Sequence, residues 1–183
     1  MRKIAAVFIS VLGLGVMAAA QAPTSGNIFF GYSYYHTPLS SIDTANMNGW
    51  NGSLEGKVLP FLGIVADLSG NYGSQNFPTG CGLLPCPTVN ADASEYNFLF
   101  GPRASFSAGK IRPFAEFMVG AGHVSLNHGA GSDTSFVDAL GGGADYRFFH
   151  AFGWRVEADY VQTRFFSATQ NSFRLSTGIV FHF

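Results

Sequence analysis

The chain has 183 residues, of which 47% are hydrophobic and 15% aromatic but only 11% charged, ten Lys plus Arg standing against eleven Asp plus Glu. A soluble domain covers itself with about 25–35% Lys, Arg, Glu and Asp, so much of this exterior must meet a solvent other than water. The aromatics exclude disorder and the near-neutral balance argues against a nucleic-acid partner. Two Cys are too few for a disulfide scaffold, and 23 Gly without a triplet period exclude collagen.

Arg2 and Lys3 precede an apolar run, Ile4 to Ala20, that exits through Ala18-Ala19-Ala20-Gln21-Ala22. A basic start, an apolar core and overlapping A-x-A sites are the pattern of a secretory signal peptide over residues 1–20. Cleavage after Ala20 is expected, because cleavage after Ala22 would leave Pro23 first. The rival reading is an anchoring helix, which the small-residue exit and the absence of a charged stop-transfer flank disfavour. Residues 21–183 are expected to form one domain. They contain no apolar run long enough for a spanning helix, so entry into a membrane requires a closed barrel, whose strands leave no N–H or C=O unpaired in hydrocarbon.

Period-2 alternation then recurs eight times along the chain. Asn27 to Tyr35 is the first segment. In the second, Trp50, Leu54 and Val58 oppose Asn51, Ser53, Glu55 and Lys57. In the third, Leu62, Ile64, Ala66, Leu68 and Tyr72 oppose Gly63, Val65, Asp67, Ser69 and Asn71. The fourth sets Tyr96, Phe98, Phe100, Pro102, Ala104 and Phe106 against Asn97, Leu99, Gly101, Arg103 and Ser105. The fifth puts Ala115, Phe117, Val119 and Ala121 opposite Arg112, Glu116, Met118 and Gly120. The sixth, Thr134 to Tyr146, is expected to slip in parity at Gly141-Gly142-Gly143, as a bulge or a close backbone approach. The seventh sets Trp154, Val156, Ala158 and Tyr160 against Gly153, Arg155, Glu157 and Asp159. The eighth sets Phe173, Leu175, Thr177, Ile179, Phe181 and Phe183 against Ser172, Arg174, Ser176, Gly178, Val180 and His182.

The connections alternate in length. Leu59 to Phe61, Ser107 to Lys110 and Arg147 to Ala151 are tight, whereas His36 to Gly49, Gly73 to Ser94, His123 to Asp133 and Thr163 to Asn171 are longer. An even-stranded outer-membrane barrel has this asymmetry, with short periplasmic turns and longer outer loops. A soluble, ligand-holding barrel also alternates, but it could not keep its outside wet with so few charges. Most of those charges fall on one set of strand faces: Glu55, Lys57, Asp67, Arg103, Arg112, Glu116, Arg155, Glu157, Asp159 and Arg174. Six apolar faces end in Phe, Tyr or Trp, as interfacial girdles require. The charged face is therefore expected inside, and the fold class is all-β, an eight-stranded antiparallel up-and-down transmembrane β-barrel.

The chain resembles the small eight-stranded outer-membrane barrels of the OmpA transmembrane-domain and OmpX type. The resemblance is carried by the signal segment, Phe29-Phe30-Gly31-Tyr32-Ser33-Tyr34, Arg112-Pro113-Phe114, the Gly-Gly-Gly-Ala-Asp-Tyr stretch at 141–146 and the terminal Phe181-His182-Phe183. It implies a bacterial outer-membrane location, outer-membrane lipid as the surrounding partner, and a C-terminal signal (Ile179, Phe181, Phe183) read by the barrel-assembly machinery. The barrel is expected to close at Phe183 without the peptidoglycan-binding domain of full-length OmpA, and to be monomeric.

An eight-stranded barrel has an interior that side chains just fill, so the inward ions are expected to form a lumenal network of salt bridges, with Arg103 at its centre between Asp67 and Glu116. Its expected role is structural. Resemblance to OmpA allows an alternative, a narrow ion-conducting channel in which a lumenal pair exchanges partners. Cys81 and Cys86, framing Cys-Gly-Leu-Leu-Pro-Cys, are expected to form a loop disulfide. Metal binding there is the rival, but no His or acidic residue lies nearby to complete four ligands. His123-Val124-Ser125 with Asp138 is similar to the His-x-Ser arrangement of the barrel-shaped lipid A deacylases. That likeness departs from the family in its Asp in place of Glu, a spacing off by one, and Leu126 where Asn should follow Ser. His36 and His128 are expected in connections, His150 in a turn and His182 in the lumen. Asn51-Gly52-Ser53 matches the glycosylation pattern but falls within a strand. The expected function is non-catalytic, without cofactor or metal: envelope integrity, or recognition of an extracellular ligand through loops that offer Ile42, Phe77, Leu83 and Leu84.

Overall fold

The computed structural model describes residues 25–38, 44–78, 88–126, 131–165 and 168–183. Eight strands run in chain order: β1 (Gly26–Pro38), β2 (Thr44–Leu59), β3 (Leu62–Pro78), β4 (Thr88–Ser105), β5 (Ile111–Leu126), β6 (Gly131–Arg147), β7 (Phe152–Thr163) and β8 (Gln170–His182). Each pairs antiparallel with its sequence neighbours, and β1 pairs with β8 to close the barrel. At the seam, Gly26 N–H donates to the Phe183 carbonyl at 2.9 Å and Phe183 N–H returns to Gly26 at 3.1 Å. Closure leaves no unpaired edge for lipid to meet.

The register fixes the stagger. From Phe29 the cross-strand partners run through Ser53, Asp67, Leu99, Gly120, Val137 and Thr163 to Gln170, yet Phe29 itself pairs with Val180. The sheet therefore closes on itself displaced by ten residues along β8, from Gln170 to Val180. Strand number and stagger together set the tilt and bore, and they bring residues far apart in sequence to one level of the lumen.

Side-chain alternation sorts the two surfaces as the sequence expects. Phe30, Leu54, Ile64, Phe98, Phe117, Leu140, Trp154, Val156, Phe173 and Ile179 are exposed on the outer wall, while Arg103, Arg155, Arg174, Glu157 and Asp159 are no more than 1% exposed inside. A continuous apolar wall around a charged axis is the reverse of a water-soluble barrel, and hydrocarbon is the solvent that suits it. Among the described residues no helix is long and apolar enough to cross a membrane, a statement that concerns helices only.

One end of the barrel is closed by tight turns. Pro60-Phe61 joins β2 to β3, and the β4–β5 turn carries an Ala108–Ile111 bridge around Gly109, whose φ of 65° suits a residue without Cβ. At the other end the strands continue far into the segments expected to be loops. The β3–β4 ladder persists to Pro78↔Thr88, and His36 lies within β1 instead of a connection. Polar residues are frequent in these extensions, so alternation fades in the sequence although the ladder does not. Ser74 Oγ, for example, donates to Asp92 Oδ1 at 2.7 Å.

The expected parity slip in β6 is not there. Its register against β5 and β7 runs unbroken through Gly141, Gly142 and Gly143. Close approach accounts for the glycines: a Cβ on Gly141 would collide with Asp159, and one on Gly143 would stand 2.9 Å from both the Glu157 Cα and the Phe114 ring. Among the described residues a register shift lies between Lys57 and Leu59, at the turn end of β2. Residues 1–20, Ile42, Cys81, Leu83, Leu84, Cys86 and His128 lie outside the described residues, and of Phe77 only the backbone is described.

Candidate functional site

The lumen holds the molecule's concentrated chemistry. Three arginines from β4, β7 and β8 carry it, each inward because strand parity aims it there. Arg103 donates to Glu116 and, at 3.1 Å, to Glu157, with Glu55 at 3.6 Å. Arg155 grips both oxygens of Asp145 at 2.6 and 2.9 Å and donates to Asn27 at 3.0 Å. Arg174 donates to Asp67 at 2.7 Å, to Asp159 at 2.9 Å and to Ser69 at 3.3 Å. Aromatic rings complete the packing, with Phe114 lying 4.4 Å from the Arg103 guanidinium and 4.7 Å from that of Arg155.

Glu157 is the carboxylate common to all three, 3.1 Å from Arg103, 3.7 Å from Arg174 and 3.9 Å from Arg155. Arg103, expected at the centre, meets Glu116 but not Asp67, which Arg174 reaches from across the closing seam. Burying these ions is tolerable because almost every one faces an opposite charge and a second hydrogen-bonding partner. Lys57 and Arg112 stand nearer the turn end and are partly buried. Lys57 contacts Glu55 at 2.6 Å, and Arg112 donates to Ser105 at 2.9 Å with Glu55 at 3.9 Å. Sequence reading missed Asp145, the bidentate partner of Arg155, and the buried Asn27, Glu95 and Asn97 that extend the network.

Toward the long-hairpin end an apolar cluster lines part of the lumen: Tyr35, Met47, Leu99, Met118, Val137 and Val161. These apolar side chains share the lumen with the ion pairs.

The His123, Ser125 and Asp138 set is not assembled into a relay. His123 Nδ1 is 2.8 Å from Thr134 Oγ1, and Asp138 pairs with Arg164 at 3.7 Å. At the C-terminus Ile179, Phe181 and Phe183 all face outward, with the Phe181 ring 5.2 Å from that of Phe152.

No protein-family model and no curated protein matches the chain. Solved structures do match in fold. Neisserial surface protein A aligns over 86% of this chain and 97% of its own at 13% identity, with a TM-score of 0.67. Ail, the attachment invasion locus protein of Yersinia pestis, solved with the heparin analogue sucrose octasulfate, aligns over 86% of this chain and 98% of its own at 15% identity and a TM-score of 0.57. The outer membrane protein OprG of Pseudomonas aeruginosa aligns over 88% and 97% at 9% identity, also with a TM-score of 0.57. At these identities the likeness is one of fold: the chain has the architecture of the small eight-stranded outer-membrane barrels.

Proposed function

We propose that this chain is a non-catalytic integral protein of a bacterial outer membrane that acts through its long-hairpin end. The observation that carries the reading is the asymmetry of the barrel. One rim is cut short at two-to-five-residue turns, while β3 and β4 run for 17 and 18 residues, well beyond the roughly 9–11 that a tilted strand needs to cross hydrocarbon. Surplus paired strand at one rim is a rigid stalk for recognition. The apolar cluster and ionic network make the lumen a structural plug.

The charge of that rim says what it would recognise. Among the described residues it presents Asp92, Asp133 and Asp138 against a single Lys or Arg, Arg164. Ail was solved with a polysulfated ligand. An acidic rim disfavours such a ligand here and suits a basic one. The outward Ile179, Phe181 and Phe183 would serve the assembly machinery during insertion, and a closed barrel has no edge that demands a second copy, so a monomer embedded in outer-membrane lipid is the proposed state.

Cell fractionation with heat-modifiable gel migration tests the location: the protein is expected in the outer membrane, and recovery free in the periplasm refutes it. Nanodiscs carrying the protein, passed over immobilised polylysine and immobilised heparin, test the rim. Retention on polylysine that is lost when the hairpin is trimmed back to Tyr72↔Ser94 supports the reading, and retention on heparin overturns it.

A further inference from the structure

Beyond recognition at the rim, the lumen has an unbalanced charge. Lys57 neutralises Glu55 at 2.6 Å and Arg155 neutralises Asp145 at 2.6 Å. Asp67, Glu116, Glu157 and Asp159 share Arg103 and Arg174, with Arg155 a further 3.9 Å from Glu157. Across the described lumen the buried carboxylates (Glu55, Asp67, Glu95, Glu116, Asp145, Glu157 and Asp159) outnumber the Lys and Arg side chains that pair with them (Lys57, Arg103, Arg112, Arg155 and Arg174), which leaves an acidic excess. Buried charge persists only when it is compensated.

The geometry shows where compensation belongs. Glu116, Glu157 and Asp159 each offer a carboxylate oxygen, and the three lie within 4.8 Å of one another. In each carboxylate one oxygen is held by arginine, Glu116 Oε2 and Glu157 Oε2 by Arg103 and Asp159 Oδ2 by Arg174. The other oxygens, Glu116 Oε1, Glu157 Oε1 and Asp159 Oδ1, accept no hydrogen bond from any described residue. A fourth oxygen comes from outside the acidic set. Ser176 is fully buried, stands directly opposite Glu157 in the β7–β8 register, and its Oγ is also without a hydrogen-bond partner.

We propose that Glu116, Glu157 and Asp159, with Ser176 beside them, bind a divalent cation of the calcium class in the lumen. Hard oxygen ligands suit such an ion, and its usual bond lengths of about 2.3–2.6 Å bridge oxygens separated by this span. Magnesium, with bonds of about 2.0–2.1 Å and reluctant dehydration, is the poorer fit. The polar lining continues away from the cluster. From the long-hairpin end, Glu95, Asn97, Asn71, Ser69 and Asn51 form a buried polar file down to Asp67, with unpaired side-chain atoms on Asn51, Asn71 and Asn97. At the opposite mouth Lys57 and Arg112 repel cations. A bound ion would lock β5, β7 and β8 together.

The test uses the full mature chain refolded in detergent micelles, with folding checked by heat-modifiable migration, and titrates calcium alone by equilibrium dialysis with the radioactive ion. One ion per chain is expected, with affinity falling at least tenfold in Asp159→Asn and unchanged in Asp92→Asn, whose carboxylate belongs to the rim. Ser176→Ala keeps every ion pair and so covers the case in which the acidic variants fail to fold; it is expected to weaken binding several-fold. No bound calcium at 10 mM, or binding that survives Asp159→Asn and Ser176→Ala but is lost in Asp92→Asn, overturns the proposal. The polylysine retention described above depends on the rim and not on this pocket, so the two readings fail separately.

Discussion

Replacing Arg155 by Met tests the energetic logic of the lumen most sharply. The side chain is fully buried, holds Asp145 through two hydrogen bonds of 2.6 and 2.9 Å, donates to Asn27 at 3.0 Å and lies 5.2 Å from the Phe29 ring. Met restores much of the volume but removes both hydrogen bonds from the Asp145 carboxylate, which is left with the His182 imidazole at 3.7 Å and Arg112 opposite it in the β5–β6 register. Breaking one side of a buried pair costs about 3–5 kcal/mol, whereas replacing both sides by apolar residues is often neutral. Arg155→Met alone should therefore lose about 3–5 kcal/mol, and Arg155→Met with Asp145→Leu should return most of it, a coupling of about 3 kcal/mol. Urea unfolding in lipid vesicles, followed by the emission of Trp50 and Trp154, measures both. Single effects that add to within about 0.5 kcal/mol would refute the reasoning, because independent sites behave that way.

Planar-bilayer recording of the mature protein should show no stepwise conductance, since ion pairs and the apolar cluster share the bore; regular single-channel steps would restore the gated-channel reading. Val156→Arg, on the outward row of β7 between Trp154 and Ala158, should cost about 2–4 kcal/mol near mid-bilayer, and a loss below about 0.5 kcal/mol would place that face in water. Gly141→Val should abolish the heat-modifiable folded form, because its side chain must occupy the space of Asp159; a normal gel shift contradicts the packing. Thiol titration of the unreduced, unfolded protein should find no reactive thiol if Cys81 and Cys86 are joined, and the mature chain should begin at Gln21 by mass spectrometry.

The fold was legible because alternation on eight segments is a long-range signal written locally: one face of each strand lists its environment. It failed where side chains vanish or where polar residues are frequent. Gly141 to Gly143 carry no side chain to report parity, so the register beyond them was lost to the reader and Asp145 with it. The hairpin extensions are rich in polar residues, Ser74, Gln75, Asn76, Asn90 and Asp92 among them, and so read as loop. The partners within the lumen were the least legible part. Asp67 and Arg174 meet only because a ten-residue stagger brings β3 and β8 to one level, and closure geometry is not encoded in any single segment. Val65, Leu99 and Met118 sat on the polar faces in plain view, but only the closed barrel shows that Leu99 and Met118 converge with Val137 and Val161 into one cluster.

The central claim is that the outside of the cylinder is its oily side. The protein's two tryptophans, Trp50 and Trp154, lie on outward rows, with Trp154 47% exposed. Reconstituted into vesicles whose acyl chains carry bromine, a Trp50→Phe variant should lose most of its remaining Trp154 emission relative to unbrominated lipid. Emission unchanged by brominated chains but quenched by a water-soluble quencher would put Trp154 in water and contradict the account.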